Sequence, residues 1–226
     1  MQTHPSPFSG RFVVLVALFV ATLIASNIVA VKLVSFGSLV LPAAVILFPI
    51  TYILGDVLTE VYGYARARRV IWLGFLCNLV VVVAIWAAGA LPAPPFWDGD
   101  AAWARILGAT PRILAASFLA YLVGEFANAF VLAKLKVATE GRHLWLRTIG
   151  STLIGQGLDS AVFLSLAGIV PAEALLTAIV TQWLAKSAYE AAATPITYGV
   201  VGWLKRAEGI DTFDRDTKFN PLALSD

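Results

Sequence analysis

The sequence predicts an all-α integral membrane protein with six transmembrane helices and both termini in the cytoplasm. Three observations carry this. The 226 residues are 59% hydrophobic and only 13% charged, about half the charged fraction of an ordinary globular chain. Six stretches are apolar enough, over about 20 residues or more, to cross a hydrocarbon core roughly 30 Å thick. The basic residues gather on alternate connections, as cytoplasmic loops do.

The first segment, 11–32, follows a nearly chargeless start and is longer than the apolar stretch of a cleaved secretion signal, so it reads as a retained helix. The second and third, 40–61 and 70–91, flank the basic stretch 62–69. Residues 92–111 hold Pro92, Pro94, Pro95 and Pro111 and are expected to be an irregular loop. The fourth and fifth segments, 112–134 and 146–168, flank a second basic connection. The sixth, 174–204, is longer than a bilayer needs and contains Pro195, where a tilt or break is expected. Strict apolar–polar alternation is lacking, which argues against a membrane β-barrel. Residues 1–204 thus form one domain, and the polar residues 205–226 a cytoplasmic tail.

Orientation follows from charge. Twelve of the sixteen Lys and Arg residues fall on the side of both termini, against Lys32, Arg105 and Arg112 on the other, with Lys186 inside a span. Trp72, Trp145 and Trp203 fall at cytoplasmic helix ends and Trp86, Trp97 and Trp103 at or beyond the outer ends, as in an interfacial aromatic belt. Trp183 alone lies well inside a span.

The spans carry polar groups that lipid does not tolerate alone. They are Asn27, Lys32, Asp56, Glu60, Asn78, Glu125, Asn128, Gln156, Asp159, Gln182, Lys186 and Glu190. A charge at the bilayer centre costs about 2.5–3.5 kcal/mol. The five deepest, Asp56, Glu125, Asp159, Lys186 and Glu190, would together cost roughly 12–18 kcal/mol if unpaired, as much as the whole stability of a typical domain. They must face one another, water or a ligand. Residues three or four apart share a helix face. Asp56 with Glu60, Tyr121 with Glu125 and Asn128, Thr152 with Gln156 and Asp159, and the row Gln182, Lys186, Glu190 therefore form stripes on four helices, which converge if they line one wet cavity. Structural roles are open to several: Glu60 beside Arg66, Arg68 and Arg69, Lys186 neutralising Glu190 one turn away, and Asn27 and Asn78 as hydrogen bonds between helices. Lys32, near the outer interface, can snorkel to water. At least two deep acids then lack a cation, and Glu125 or Asp159 is expected to hold a proton in some states. The small residues Ser151 and Gly155 lead to Asp159 at four-residue spacing, a pattern that lets helices approach closely.

Catalysis is disfavoured. There is no G-x-S-x-G elbow, no H-E-x-x-H and no phosphate-binding glycine loop, and neither histidine, His4 nor His143, lies in a span. One cysteine, Cys77, and two histidines make no zinc or iron–sulfur site. No metal or cofactor is expected, the net charge of +2 is too small for nucleic acid, and the reading is a carrier or a membrane binding subunit rather than an enzyme.

Several segments resemble one family. "ASNIVAVKLV" with Asn27 and Lys32, then "FPITYILGDVLTEVYGYARARRVI" from Phe48 to Ile71, are similar to the vitamin uptake transporters, also called queuosine precursor transporters. The similarity continues through "RTIGSTLIGQGLDSAVF" at Arg147–Phe163, the row Gln182, Lys186, Glu190, then Pro195 and the tail "FDRDTKFNP". The block Asp56–Gly63 is its most specific part; a Leu222 after Pro221, where an aromatic is usual, is a small departure. The resemblance implies a bacterial inner-membrane protein that imports preQ0 and preQ1, the 7-deazaguanine precursors of the tRNA base queuosine. The implied partners are the lipid bilayer and a deazapurine base, with a homodimer as one option of assembly. The chemistry fits: a carboxylate accepts the ring N–H and exocyclic amine of such a base, while an amide or Lys donates to its carbonyl, and a ring such as Trp183 offers a stacking face. The alternative is a vitamin-binding membrane subunit that depends on an ATP-driven energising module.

Overall fold

The computed structural model describes residues 9–36, 39–108, 111–168 and 170–223. Among them are seven α-helices and one short hairpin: α1 Gly10–Val29, β1 Leu33–Phe36, β2 Leu39–Pro42, α2 Phe48–Tyr62, α3 Tyr64–Gly89, α4 Asp100–Leu107, α5 Pro111–Ala138, α6 Leu144–Ala167 and α7 Ala172–Glu208. Among the described residues, four helical stretches are long and apolar enough to cross a membrane, Gly10–Val29, Tyr64–Gly89, Ala115–Ala138 and Leu144–Ala167. They coincide with the first, third, fourth and fifth expected spans.

The other two expected spans take different forms. Segment 40–61 is not one helix. Its first residues pair with the segment that follows α1 as the antiparallel hairpin β1–β2, Leu33 opposite Pro42, and only Phe48–Tyr62 is α-helical after a 3₁₀ turn over Ala43–Ile46. A short apolar run does not distinguish strand from helix, and Pro49, in the first turn of α2, is placed where its missing N–H costs nothing. At 15 residues α2 is about 22 Å long, shorter than a span. It packs instead against α1, α3, α5 and α7, and Val57, Leu58, Val61 and Phe19 of α1 form the core around it, each 0–1% exposed. The sixth segment is a helix of 37 residues that runs unbroken through Pro195, so the expected break is absent. The 92–111 stretch is also more ordered than expected, because its second half forms α4, with Asp100 in the first turn and Arg105 in the last as the helix dipole favours.

Helices α5 and α6 form the most extensive pair in the bundle. A Cβ on Gly155 would lie 2.8 Å from the Asn128 Cβ and 2.9 Å from the Gly124 carbonyl oxygen, and one on Gly124 would lie 2.9 Å from the Asp159 Cβ. The small-residue spacing around Gly155 is thus a backbone-to-backbone crossing, which sets Asn128 against Gly155 and, one turn away, Asp159 against Gly124.

The polar tail is bound to the bundle. Gly63, at φ +86°, separates α2 from α3, and a Cβ there would meet Thr212 Cγ2 at 2.7 Å. Into this notch the Asp214 carboxylate accepts the Tyr64 backbone N–H at 3.0 and 3.1 Å, capping α3 from 150 residues away. The Thr212 N–H donates to the Val61 carbonyl at 3.2 Å, Arg68 donates to the carbonyls of Lys218 and Asn220 at 2.8 and 3.1 Å, and the Trp72 indole donates to that of Pro221 at 2.8 Å. Residues 224–226 of the expected tail lie outside the described residues.

Candidate functional site

Four helices deliver one side chain each to a buried polar cluster. Asp56 on α2, Asn128 on α5, Thr152 on α6 and Glu190 on α7 are 1%, 1%, 1% and 4% exposed. The Asn128 amide donates to Asp56 Oδ1 at 2.8 Å, and the Thr152 hydroxyl donates to Glu190 Oε1 at 2.6 Å. Glu190 lies within hydrogen-bonding reach of Asp56. Glu125, one turn before Asn128 and 2% exposed, adds a third carboxyl; its Oε2 would lie 3.2 Å from a Cβ on Gly55, so the glycine makes room for it. One or two members of each stripe expected on α2, α5, α6 and α7 meet here, whereas Glu60 and Tyr121 bond elsewhere.

The same helices α5, α6 and α7 carry buried polar atoms with no protein partner: Asn128 Oδ1, Gln156 Oε1, Ser160 Oγ, Gln182 Oε1 and Ser187 Oγ. Such orphans are uncommon in folded interiors and mark sites completed by water or ligand. Ser160 and Ser187 escaped the sequence reading. Ser160 was within reach of it, as the next member of the Thr152–Gln156 row.

Two ion pairs differ from expectation. Lys186 donates to Asp159 Oδ2 at 2.5 Å rather than neutralising Glu190, which turns toward Asp56 and Thr152. The α5–α6 crossing sets Asp159 opposite α7, where the longer Lys186 side chain reaches it. Glu60, fully buried, is not paired with Arg66, Arg68 or Arg69. It receives Arg147 bidentately at 2.8 and 3.2 Å and Lys205 at 2.7 Å, with Lys136 at 3.6 Å. The turn at Gly63 swings α3 and its arginines away, and Arg68 is committed to tail carbonyls. Lys136 and Lys205 also bind Asp211 of the tail at 2.5 and 2.9 Å. Burial pushes the Asp211 carboxyl up, but these two ammonium groups outweigh it and hold it below its ordinary value.

The remaining candidates lie elsewhere. Asn27 and Asn78 line a separate, mostly apolar cavity of about 610 Å³ between α1, α3 and α4, together with Trp86 and Trp103. That volume is in the range of small-molecule sites. Lys32 sits exposed in the turn after α1. Trp183 is half-buried, its indole N–H donating to the Leu153 carbonyl at 2.8 Å against Gly157. Between cavity and cluster stands Phe19, 1% exposed, whose ring would meet a Cβ on Gly74 of α3 at 3.1 Å and one on Gly55 of α2 at 3.7 Å. Among the described residues no cluster of three or more His, Cys, Asp or Glu is arranged to hold a metal ion.

Comparison with known proteins gives these features a context. The family described as "Putative vitamin uptake transporter" matches residues 42–200. A Bacillus subtilis (strain 168) protein named "Probable queuosine precursor transporter" is 30% identical over 179 residues, 77% of this chain and 78% of its own. An Escherichia coli (strain K12) protein named "Queuosine precursor transporter" is 29% identical over 120 residues, 53% of this chain and 52% of its own. No solved structure matches. The match covers the acid-bearing helices α2, α5, α6 and most of α7, and with the four long apolar helices it makes this a multi-pass membrane protein that belongs to the vitamin uptake transporter family.

Proposed function

We propose that this protein imports a queuosine precursor, a 7-deazaguanine base such as preQ0 or preQ1, across the bacterial inner membrane, with both termini in the cytoplasm. The observation that carries the reading is the buried cluster of carboxyls from α2, α5 and α7 accompanied by amide and hydroxyl oxygens that lack partners, in a chain whose relatives bear that name. A deazaguanine edge presents two adjacent N–H donors and a carbonyl. A carboxylate at Glu125 and the unpartnered Oδ1 of Asn128 suit the donors, while an amide N–H of Gln156 suits the carbonyl. The apolar cavity with Asn27 and Asn78 serves as the vestibule that admits the flat base, and Trp183 as a stacking face beside the α7 row. The twelve basic residues on the side of the termini support the orientation.

The test is expression of this chain alone in a bacterium that cannot make queuosine and lacks any ATP-driven uptake module, with each precursor supplied in turn. Queuosine reappearing in tRNA with preQ0 or preQ1 is the expected result. Its absence with both, in cells whose membranes contain the protein, overturns the reading.

A further inference from the structure

We propose that Asp56 and Glu190 form a proton-binding pair that carries one coupled proton in each transport cycle. This rests on the transport reading above and adds to it the force that drives the solute. The two carboxyls come from different helices, are 1% and 4% exposed and lie within hydrogen-bonding reach of one another. Ionised carboxylates only accept hydrogen bonds, so a bond at that contact forms only when one proton is bound. Asn128, which donates to Asp56, and Thr152, which donates to Glu190, are neutral and bring no positive charge.

Among the described residues, the surroundings do not supply that charge either. From α2, Tyr52 and Glu60 stand on the Asp56 side; from α5, Glu125 faces the pair while the Tyr121 hydroxyl is turned to the Ile71 carbonyl; from α6, Asp159 stands toward Glu125. From α7, Lys186 lies one turn before Glu190 but is bonded to Asp159. Arg147 and Lys205, the nearest cations toward the tail, are engaged by Glu60. Two ionised carboxylates here would set like charges side by side in the bundle interior, with Glu125 close by. One shared proton removes half of that charge.

The step involves only an O–H bond. With the pair facing the vestibule, a proton from the outer solution binds between the two carboxylates and the base binds beside them. With the pair facing the cytoplasm, the O–H bond breaks, the proton passes to water and the base leaves. Each cycle moves one base and one proton inward.

The protein is reconstituted in proteoliposomes and tested with preQ0, which is uncharged. An inside-alkaline gradient should drive accumulation of roughly tenfold per pH unit, the ratio that one proton per solute sustains. A pH dye trapped inside should report one proton entering with each preQ0, and a protonophore should abolish the accumulation. Glu190→Gln supplies the bond to Asp56 permanently through its amide N–H, so preQ0 influx should no longer respond to the gradient; Asp56→Asn is the mirror case. Wild-type protein that exchanges preQ0 for preQ0 at equal pH but neither accumulates it nor admits protons overturns the coupling and leaves the transport reading standing. Failure of exchange with preQ0 and with preQ1 alike overturns both. Gradient-driven accumulation surviving in both variants removes the pair from the coupling site.

Discussion

Glu60 shows how one residue can be structural in a site that resembles a binding motif. It sits one turn from Asp56 in the most recognisable block of the sequence, yet its carboxylate is filled by Arg147 and Lys205, with Lys136 close behind. Removing one partner from a buried ion network leaves the rest as uncompensated charge, typically at a cost of 3–5 kcal/mol. Arg147 and Lys136 are each 1% exposed, whereas Lys205, at 22%, is partly screened. Glu60→Gln should therefore destabilise the protein by about 3 kcal/mol or more, read as lower thermal stability in detergent. An unchanged unfolding temperature would show that the network carries no net energy. Glu125 is the contrasting residue, with the orphaned oxygen of Asn128 one turn away. Glu125→Gln keeps size but sets a donor against the donors of the base. Hydrogen bonds to a charged group contribute about 1.5–3 kcal/mol, so uptake should fall tenfold or more while the amount of protein in the membrane is unchanged. Normal uptake would remove Glu125 from the site.

At the scale of elements, the crossing of α5 and α6 sets the geometry of the polar cluster. Gly155→Ala places a methyl 2.8 Å from the Asn128 Cβ and 2.9 Å from the Gly124 carbonyl, both on a helix that cannot yield locally. Overpacking of this kind costs about 1–3 kcal/mol and displaces Asn128 from Asp56, so both stability and uptake should fall; a variant of wild-type stability and uptake would show that the crossing is compliant. The strap of residues 210–222 is the second element with a clear consequence. The Asp211 carboxyl, 46% exposed, is held below its ordinary value by Lys136 and Lys205. A carboxyl whose folded value is depressed adds stability above its unfolded value, about 3.9, and loses it as pH falls through the lower folded value. Solvent screening keeps that contribution small. Protease cleavage within the strap should thus be independent of pH from neutrality to about pH 4 and rise only below it. An onset near pH 6 would show that another group governs docking. These elements also mark what the sequence discloses. Apolar length reveals α1, α3, α5 and α6, and a spacing of three or four residues reveals the polar stripes. Which acid meets which base is decided by the register between helices, which one strand of text does not encode. Lys186 therefore meets Asp159 instead of its own-helix neighbour Glu190, and the strap, polar in composition, gives no sign that Asp214 caps α3.

At the scale of the whole molecule, α3 relates two ends of opposite character. Its 26 residues span about 39 Å. The Tyr64 end lies under the strap, beside the Glu60 network, while the half from Asn78 to Gly89 lines the open cavity. The bundle is thus sealed at one end and accessible at the other, with the carboxyl cluster between. A carrier must join the cavity to the cluster without opening the sealed end, and the ring of Phe19, seated between Gly74 and Gly55 and next to Glu125, blocks the direct route. Cys77 is the single cysteine, so a Cys77→Ser background permits a local probe of that route. In it, Asn78→Cys should react with a water-soluble, membrane-impermeant thiol reagent added from the side opposite the termini, and Glu125→Cys should not. Adding Phe19→Ala removes the ring at a cost of about 3–5 kcal/mol and should make Glu125→Cys reactive from that same side, with the protein still folded. Reaction of Glu125→Cys from the side of the termini instead would mean that the route to the acids runs through the strapped end, and Phe19 would then be core packing with no part in the path.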